Sequence, residues 1–235
     1  MNIDTILSPP EIDLLPQRDL GATTCVVFDV LRATSSMITA LANGATEIFP
    51  VTTIDEARAL KKKIPGALLG GERHGDRIEG FDLGNSPLEY RTLAAARIIT
   101  TTTNGTVALR ACERARRVLV GALLNMDALT ALLKTEHPEN VLLVCAGTFR
   151  ETALEDVFAA GMLCASFSEA AWSDAAKIAA SVFRAQEGDA LRCLQESKNG
   201  RALAAKNRGD DVIWCARDSI CAIVGEMRDG IVREI

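Results

Sequence analysis

Short apolar runs alternate with stretches of helical period along the first two thirds of the chain. "TTCVVFDVL" (23–31) is a continuous apolar run of strand length, and "TSSMITALANG" (34–44) follows with helical spacing and Gly44 as a stop. "ATEIFPV" (45–51) predicts a second strand. In "TTIDEARALKKK" (52–63), Thr53 stands three residues before Glu56 ahead of an apolar stripe, the pattern of a capped helix. "GALLGG" (66–71) predicts a short strand that runs into the loop "GGERHGDRIEGFDLGNSP" (70–87). That loop ends with Ser86 as an N-cap, Pro87 at the first helical position and Glu89 as a reciprocal cap, so a helix is expected to start there.

The alternation continues with strands at "ARIITTT", "RRVLVGAL" and "NVLLVCAG" and helices at "NGTVALRACERA" and "MDALTALLKTEH". Residues 152–167 and 169–186 read as largely helical, with Gly161 either an interruption or a close-packing position. Residues 196–216 carry a weaker signal, and Asp229-Gly230 predicts a hairpin turn near the C-terminus. Strands separated by helical periods predict an α/β fold, a three-layer α/β/α arrangement around a mixed, partly parallel sheet. No linker of Ser, Gly and Pro divides the chain. One compact unit over 1–235 is expected, with two intimately packed lobes at about 1–122 and 123–235.

Composition narrows the function classes. The seven cysteines sit in apolar runs without C-x-x-C spacing, as buried small hydrophobes in a reducing compartment would. The stretch "MNIDTILSPPEIDLLP" has an early acid and adjacent prolines, and reads neither as a basic leader nor as an anchor. No apolar run approaches the ~20 residues of a membrane-spanning helix. A cytoplasmic protein without membrane association is expected. The net charge of −5 argues against broad nucleic-acid binding and leaves room for a local basic pocket that takes an anionic metabolite.

Reactive groups in α/β sheets gather beyond the carboxyl ends of strands, and four segments belong there. Asp29 follows "CVVF" and precedes Arg32 and the helix-start residues Thr34 and Ser35, so a carboxylate, a guanidinium and helix amides come together; a solvated ion pair or cap explains the same residues. "TTTNGT" offers Thr102, Thr103, Thr106, Asn104 and the amides around Gly105 as an oxyanion cradle, or simply a Thr-rich strand end and turn. In "CAGTFRETALEDV", Cys145 and Arg150 are separated by four residues rather than the five of cysteine phosphatase loops, while Glu155 and Asp156 open the following helix. The fourth segment is the charged loop. Its Glu72, Asp76, Glu79 and Asp82 supply hard oxygens, and Arg73 and Arg77 supply phosphate-compatible donors, unless these charges merely pair with one another. Of the two histidines in the chain, His137 reads as a helix end and His74 as a proton-transfer group or simply an exposed imidazole, so a two-histidine metal centre has little material.

Taken together, "VVFDVLRATSSMITALANGA", "GERHGDRIEGFDLGNSP", "TTTNGTVAL", "CAGTFRETALEDVFAAG" and "NGRAL" resemble the 2-phosphosulfolactate phosphatase family, in a consistent order over most of the chain. The resemblance implies a compact, oligomeric α/β phosphatase in which Mg²⁺ assists release of phosphate from (2R)-2-phospho-3-sulfolactate on the route to coenzyme M in organisms that possess it; a homodimer is expected. The matching motifs bring in Asp29, Arg32, Glu72, Arg73, Asp82, Asn85, Asn104, Gly105 and Asp156; of these and their neighbours, Asp29, Arg32, Glu72 and Asp82 are expected to be catalytic, Arg73, Asn85, Asn104, Gly105 and Arg150 to bind substrate, and Asp29, Glu72, Asp82 and Asp156 to ligate the metal. Glu155 belongs to the same motifs, and Arg77 or Arg201 is the expected partner of a second substrate anion. "TFRETA" is bulkier than the small, glycine-containing pattern associated with the family at that position. Metal-assisted attack by water is favoured over attack by an acidic side chain. A phosphatase for another small organic phosphate ester and a noncatalytic small-anion binding protein are the alternatives, and release of inorganic phosphate separates the last from the others.

Overall fold

The computed structural model of the chain describes residues 1–93 and 95–235. In chain order the elements are β1 (Asn2–Ile6), α1 (Pro9–Ile12), β2 (Thr23–Phe28), α2 (Ala33–Ala42), β3 (Glu47–Pro50), α3 (Ile54–Lys63), β4 (Leu68–Arg73), β5 (Asp76–Arg77) and β6 (Arg97–Thr101). They continue with α4 (Gly105–Ala111), β7 (Arg117–Gly121), α5 (Met126–Glu136), β8 (Asn140–Cys145), α6 (Leu154–Ala165), β9 (Ala171–Trp172) and α7 (Asp174–Ala185). The C-terminal part holds α8 (Ala190–Glu196), α9 (Lys198–Ala205), α10 (Gly209–Cys215), β10 (Gly225–Arg228) and β11 (Ile231–Glu234). The strands line up in the order β5-β4-β6-β3-β11-β10-β7-β2-β8-β1-β9, and helices cover both faces. The mixed α/β/α class is as expected from the alternating pattern.

Two parallel sets meet at the C-terminal hairpin. β7, β2, β8, β1 and β9 run parallel to one another, as do β3, β6 and β4, and three antiparallel pairings through β10 and β11 join the sets in opposite senses. Neighbouring strands rotate by roughly 20 to 25°, so the sheet coils between the two sets. The carboxyl ends of both sets therefore reach one another: Gly105, following β6, packs against the Asp29 carboxylate, following β2. β8, drawn from the second half of the chain, pairs between β1 and β2 of the first.

The apolar strand runs follow from burial on both faces. Val26 and Phe28 of β2 point into a core with α5, α6 and α7, while Cys25 and Val27 point into another with α2 and α4. A strand covered on both sides has no polar face, which explains the continuous run "TTCVVF". A third cluster of Phe49, Val51, Leu69, Phe81 and Ile99 lies under α3. Each fully buried side chain of the Phe28 or Leu119 kind stabilises the fold by roughly 1.5–3 kcal/mol.

Several local expectations change. Thr53 does cap α3, accepting from the Glu56 amide, but the Glu56 carboxylate reaches back to the Thr52 amide instead of that of Thr53. The charged loop begins as strand: β4 runs through Glu72 and Arg73 and turns into β5. Ser86 does not cap; its hydroxyl donates to Asp211, and the expected helix is a single 3-10 turn over Pro87–Tyr90. Gly161 does not interrupt α6. A β-carbon there would stand 2.1 Å from the Ala179 carbonyl oxygen, so glycine permits the close crossing of α6 and α7. Residues 169–186 include β9 at the sheet edge, and the weakly patterned 196–216 segment folds into α9 and α10. The Asp229-Gly230 turn is present, both residues with positive φ, between β10 and β11.

Candidate active site

Asp29 is the first residue beyond β2. Its amide donates to Thr34 Oγ1 at 3.0 Å, and its Oδ1 accepts from the Ala33 amide at 3.1 Å, so the strand end and the first turn of α2 fix the carboxylate. Across the sheet junction it meets Gly105 at the start of α4, where a β-carbon would come within 2.5 Å of Asp29 Oδ2. Only a residue without a β-carbon lets the two helix starts converge on this acid.

A cavity of about 160 Å³ opens beside it, lined by Asp29, Arg32, Glu72, Asn85, Thr103 and Asn104 on its polar side. Arg32 is buried, with Nη1 donating to Asp211 Oδ2 at 2.6 Å and Nη2 to the Gly75 carbonyl at 2.9 Å. Two of its five N–H groups are thereby used to orient the guanidinium, and the others are available to an anion. Glu72, at the end of β4, accepts from the Thr103 amide with Oε1 and from the Gly75 amide with Oε2, each at 2.7 Å. It ties the two walls of the cavity together.

Below the cavity floor, Asp156 accepts from the Val30 amide at 2.8 Å and the Gly147 amide at 2.9 Å, joining the loops after β2 and β8. Glu155 accepts from Asn199 Nδ2 at 2.6 Å through Oε1, while its buried Oε2 has no hydrogen-bond partner among the described residues. The Thr103 hydroxyl is likewise buried and without a partner among the described residues. These acids share a poorly solvated region. Burial, then the charges of Glu72 and Glu155, push the Asp29 carboxyl up to about 7 against the lowering effect of the Ala33 and Gly105 amides. Burial, followed by the charges of Glu155 and Asp29, raises Asp156, and burial raises Glu155.

This electrostatic strain bears on metal binding. Mg²⁺ takes hard oxygens, keeps several waters and is commonly held by one or two carboxylates together with substrate phosphate. Asp29 and Glu72 at the cavity wall and the unpartnered Glu155 Oε2 fit such an ion in donor chemistry, and the raised carboxyls are those a cation would relieve. Among the described residues no three His, Cys, Asp or Glu side chains form a ready-made cage. The donors suit an ion that completes its shell with water and phosphate.

The residues singled out from sequence separate into two groups. Asp29, Arg32, Glu72, Asn85 and Asn104 line the cavity, with Gly105 and Asp156 directly behind it. Asp82 lies outside the cavity lining, its half-exposed carboxylate accepting from the Leu69 amide at 2.8 Å. Arg73 turns toward Thr101 Oγ1 and the Glu72 carbonyl, Arg77 toward the Asp82 carbonyl, and Arg150 is exposed in an ion pair with Asp13. Arg201 donates to the Glu196 carbonyl at the surface. His137 ends α5 in the left-handed conformation, and Cys145 is buried with its thiol pushed well above the usual range by burial.

Lys206 and Asp211 are not singled out by the sequence, and Asn199 enters there only as the first residue of "NGRAL", with no role. Asn199 and Lys206 line the cavity, and Asp211 holds Arg32; all three come from the segment of weak pattern. Ser197 was the available signal: it caps α9 by accepting from the Gly200 amide, which sets Asn199 on the first turn beside Glu155 and Thr148. Nothing local marks Asp211 as the partner of Arg32.

The family model for 2-phosphosulpholactate phosphatase matches residues 11–230. A protein of Thermotoga petrophila, described as a probable 2-phosphosulfolactate phosphatase, is 36% identical over 223 residues, which cover 94% of this chain and 96% of the relative. Proteins of the same description from Carboxydothermus hydrogenoformans (37% over 235 residues, 98% and 95% covered) and Clostridium perfringens strain SM101 (34% over 244 residues, 100% and 97% covered) are similar. With a match over nearly its whole length and relatives of the same extent, this chain belongs to the 2-phosphosulfolactate phosphatase family, a family of phosphoric monoester hydrolases.

Proposed function

We propose that the chain hydrolyses (2R)-2-phospho-3-sulfolactate to (2R)-3-sulfolactate and inorganic phosphate with the help of Mg²⁺. Family membership supports the reaction. The observation that carries the site is the meeting of Asp29, Glu72 and Arg32 at one cavity over the buried Glu155 and Asp156. An acid group of this kind repels a phosphate dianion unless a cation or protons intervene, and Arg32 alone, already paired with Asp211, does not offset it.

Bound Mg²⁺ would supply charge neutralisation and polarise the phosphoryl oxygens. Asp29 and Glu72 are the residues to hold it from the cavity wall, with Glu155 behind them. Arg32, kept in one orientation by Asp211 and Gly75, directs its remaining N–H donors at the phosphoryl oxygens and stabilises the charge that builds up on them. In the balanced reaction a water oxygen bonds to phosphorus, the ester P–O bond breaks, and the leaving oxygen takes a proton. Without a cation, burial and the neighbouring acids push the Asp29 carboxyl up to about 7, so the ion would take the place of a proton there. Lys206, which lines the cavity and pairs with Asp76 and the His74 carbonyl, is the cation for the second anionic group of the substrate, with Asn199 beside it in the lining.

In this reading the enzyme acts in the cytoplasm on a small phosphorylated sulfonate or carboxylate, with no nucleic acid, as a homodimer, on the route to coenzyme M in organisms that possess it. No described helix is long and apolar enough to cross a membrane. The test is inorganic phosphate release from 2-phosphosulfolactate and a panel of three-carbon phosphate esters, with Mg²⁺ and after chelation. Turnover of 2-phosphosulfolactate that collapses on chelation supports the proposal; full turnover after stringent metal removal overturns the metal's part. Preference for another ester reassigns the substrate, and saturable binding without release overturns hydrolysis.

A further inference from the structure

The cavity mouth holds two residues in a backbone conformation that their side chains disfavour. His74, in the β4–β5 turn, has φ 55°, and Phe149, in the turn after β8, has φ 54°. Non-glycine residues with such φ values persist where the surroundings over-determine them, and they concentrate at functional sites. Their rings meet, tilted by 32° at a centroid distance of 5.8 Å, and both residues line the cavity, so the pair covers part of its mouth.

Each turn is held by hydrogen bonds from the cavity wall. The Asn104 carboxamide accepts from the Phe149 amide at 2.9 Å and donates to the carbonyls of Phe149 and Ala146 at 3.1 and 3.0 Å. Both of its N–H donors are thereby occupied within the protein, which makes Asn104 a positioning residue for Phe149. Reciprocal backbone bonds between Thr148 and Glu151 close the same turn. At the other turn, Lys206 Nζ donates to the His74 carbonyl at 2.9 Å and Glu72 accepts from the Gly75 amide. Phe149 is 51% exposed. Core burial does not explain an aromatic ring held in that position.

We infer that the paired His74 and Phe149 rings form a size-selecting rim, which admits compact aliphatic phosphate esters to the Arg32 side of the cavity and excludes aryl phosphates. The inference rests on the proposed phosphate-ester chemistry of the cavity. A ring pair closes a small opening with few rotatable bonds, so it discriminates by shape at little cost in ordering. Removing one ring opens the mouth without touching Asp29, Glu72 or Arg32.

The experiment compares wild type with Phe149→Ala, Phe149→Leu, His74→Ala and the double alanine variant, all in the presence of Mg²⁺. Phosphate release from 2-phospholactate and from phenyl phosphate gives the ratio of the two kcat/KM values. The ratio of phenyl phosphate to 2-phospholactate is expected to rise at least tenfold in Phe149→Ala, less in Phe149→Leu, and furthest in the double variant. Calorimetric binding of phenylphosphonate and of a three-carbon 2-phosphonate reads the same rim without turnover. A rim-dependent affinity ratio in a protein that releases no phosphate would reject hydrolysis and keep the rim. Active variants whose ratios stay within twofold of wild type would reject the rim and keep hydrolysis, and a wild type that binds neither phosphonate would reject the rim as well. Leu retains an apolar side chain at the turn, so a folding failure of the alanine variants leaves Phe149→Leu to decide.

Discussion

Arg32 and Asp211, 179 residues apart in sequence, form a buried ion pair at 2.6 Å that fixes the guanidinium at the cavity. Asp211 uses its other oxygen to accept from the Ser86 hydroxyl, so α10, the loop after β2 and the entry to the 3-10 turn share one carboxylate. Removing one partner of a buried pair strands the other charge, at a cost of about 3–5 kcal/mol. Asp211→Ala is therefore expected to lose stability of that order in urea unfolding and to lower kcat/KM for any phosphate ester turned over. Stability close to wild type would show that Arg32 finds water or another partner.

Asp29→Asn keeps the oxygen that accepts from Ala33 while removing a charge that burial and two neighbouring acids disfavour. Phosphate release is expected to fall by about 10–100-fold, the range for a weakened metal site. The melting temperature of the metal-free protein at pH 8 should not fall. A parallel loss of activity and stability would mark Asp29 as structural.

The pH dependence of Mg²⁺ binding follows from the same group. The Asp29 carboxyl titrates at about 7 in the folded protein against the ordinary 3.8, so the fold prefers the protonated form. Its contribution to stability is present in full below the ordinary value and is lost as pH rises through about 7. A cation that binds the carboxylate must displace the proton below that pH and meets no such competition above it. The rise in melting temperature on adding Mg²⁺ is expected to be larger at pH 8 than at pH 5.5. Equal shifts at both pH values would remove Asp29 from the metal site.

Gly161→Ala probes the scaffold apart from the chemistry. Its β-carbon would stand 2.1 Å from the Ala179 carbonyl oxygen and 2.6 Å from the carbonyl carbon, both backbone atoms that cannot rotate away. Separating α6 from α7 should cost about 1–3 kcal/mol, the range for overpacking. Thermal unfolding measures the loss, and an unchanged melting temperature would mean that the two helices are free to part.

Much of the chain was legible without its structure. The continuous run of β2, the Thr53 cap and the Asp229-Gly230 turn depend on contacts within a few residues, and all three appear where the pattern places them. Asp29 was legible for the same reason, as a carboxylate between a strand end and a helix start. The charged loop is only partly legible: it opens as a hairpin in which Glu72 pairs with Arg77, while β4 is set into the sheet through Leu68–Gly71 by β6, a partner that local sequence does not name.

By itself the sequence determined an α/β protein of this family, with Asp29, Arg32 and Glu72 set at strand ends, because apolar period and capping are properties of neighbouring residues. Only the tertiary structure decided which of the candidate charges meet. Asp211 reaches Arg32, and Asn199 reaches Glu155, through helices whose own pattern is weak. Asp82 and Arg150, equally plausible in sequence, are engaged outside the cavity by Leu69 and Asp13. The physical reason is the C-terminal hairpin between two opposed parallel sets: its pairings and the coil of the sheet set which strand ends face each other, and no local stretch of the chain records that choice.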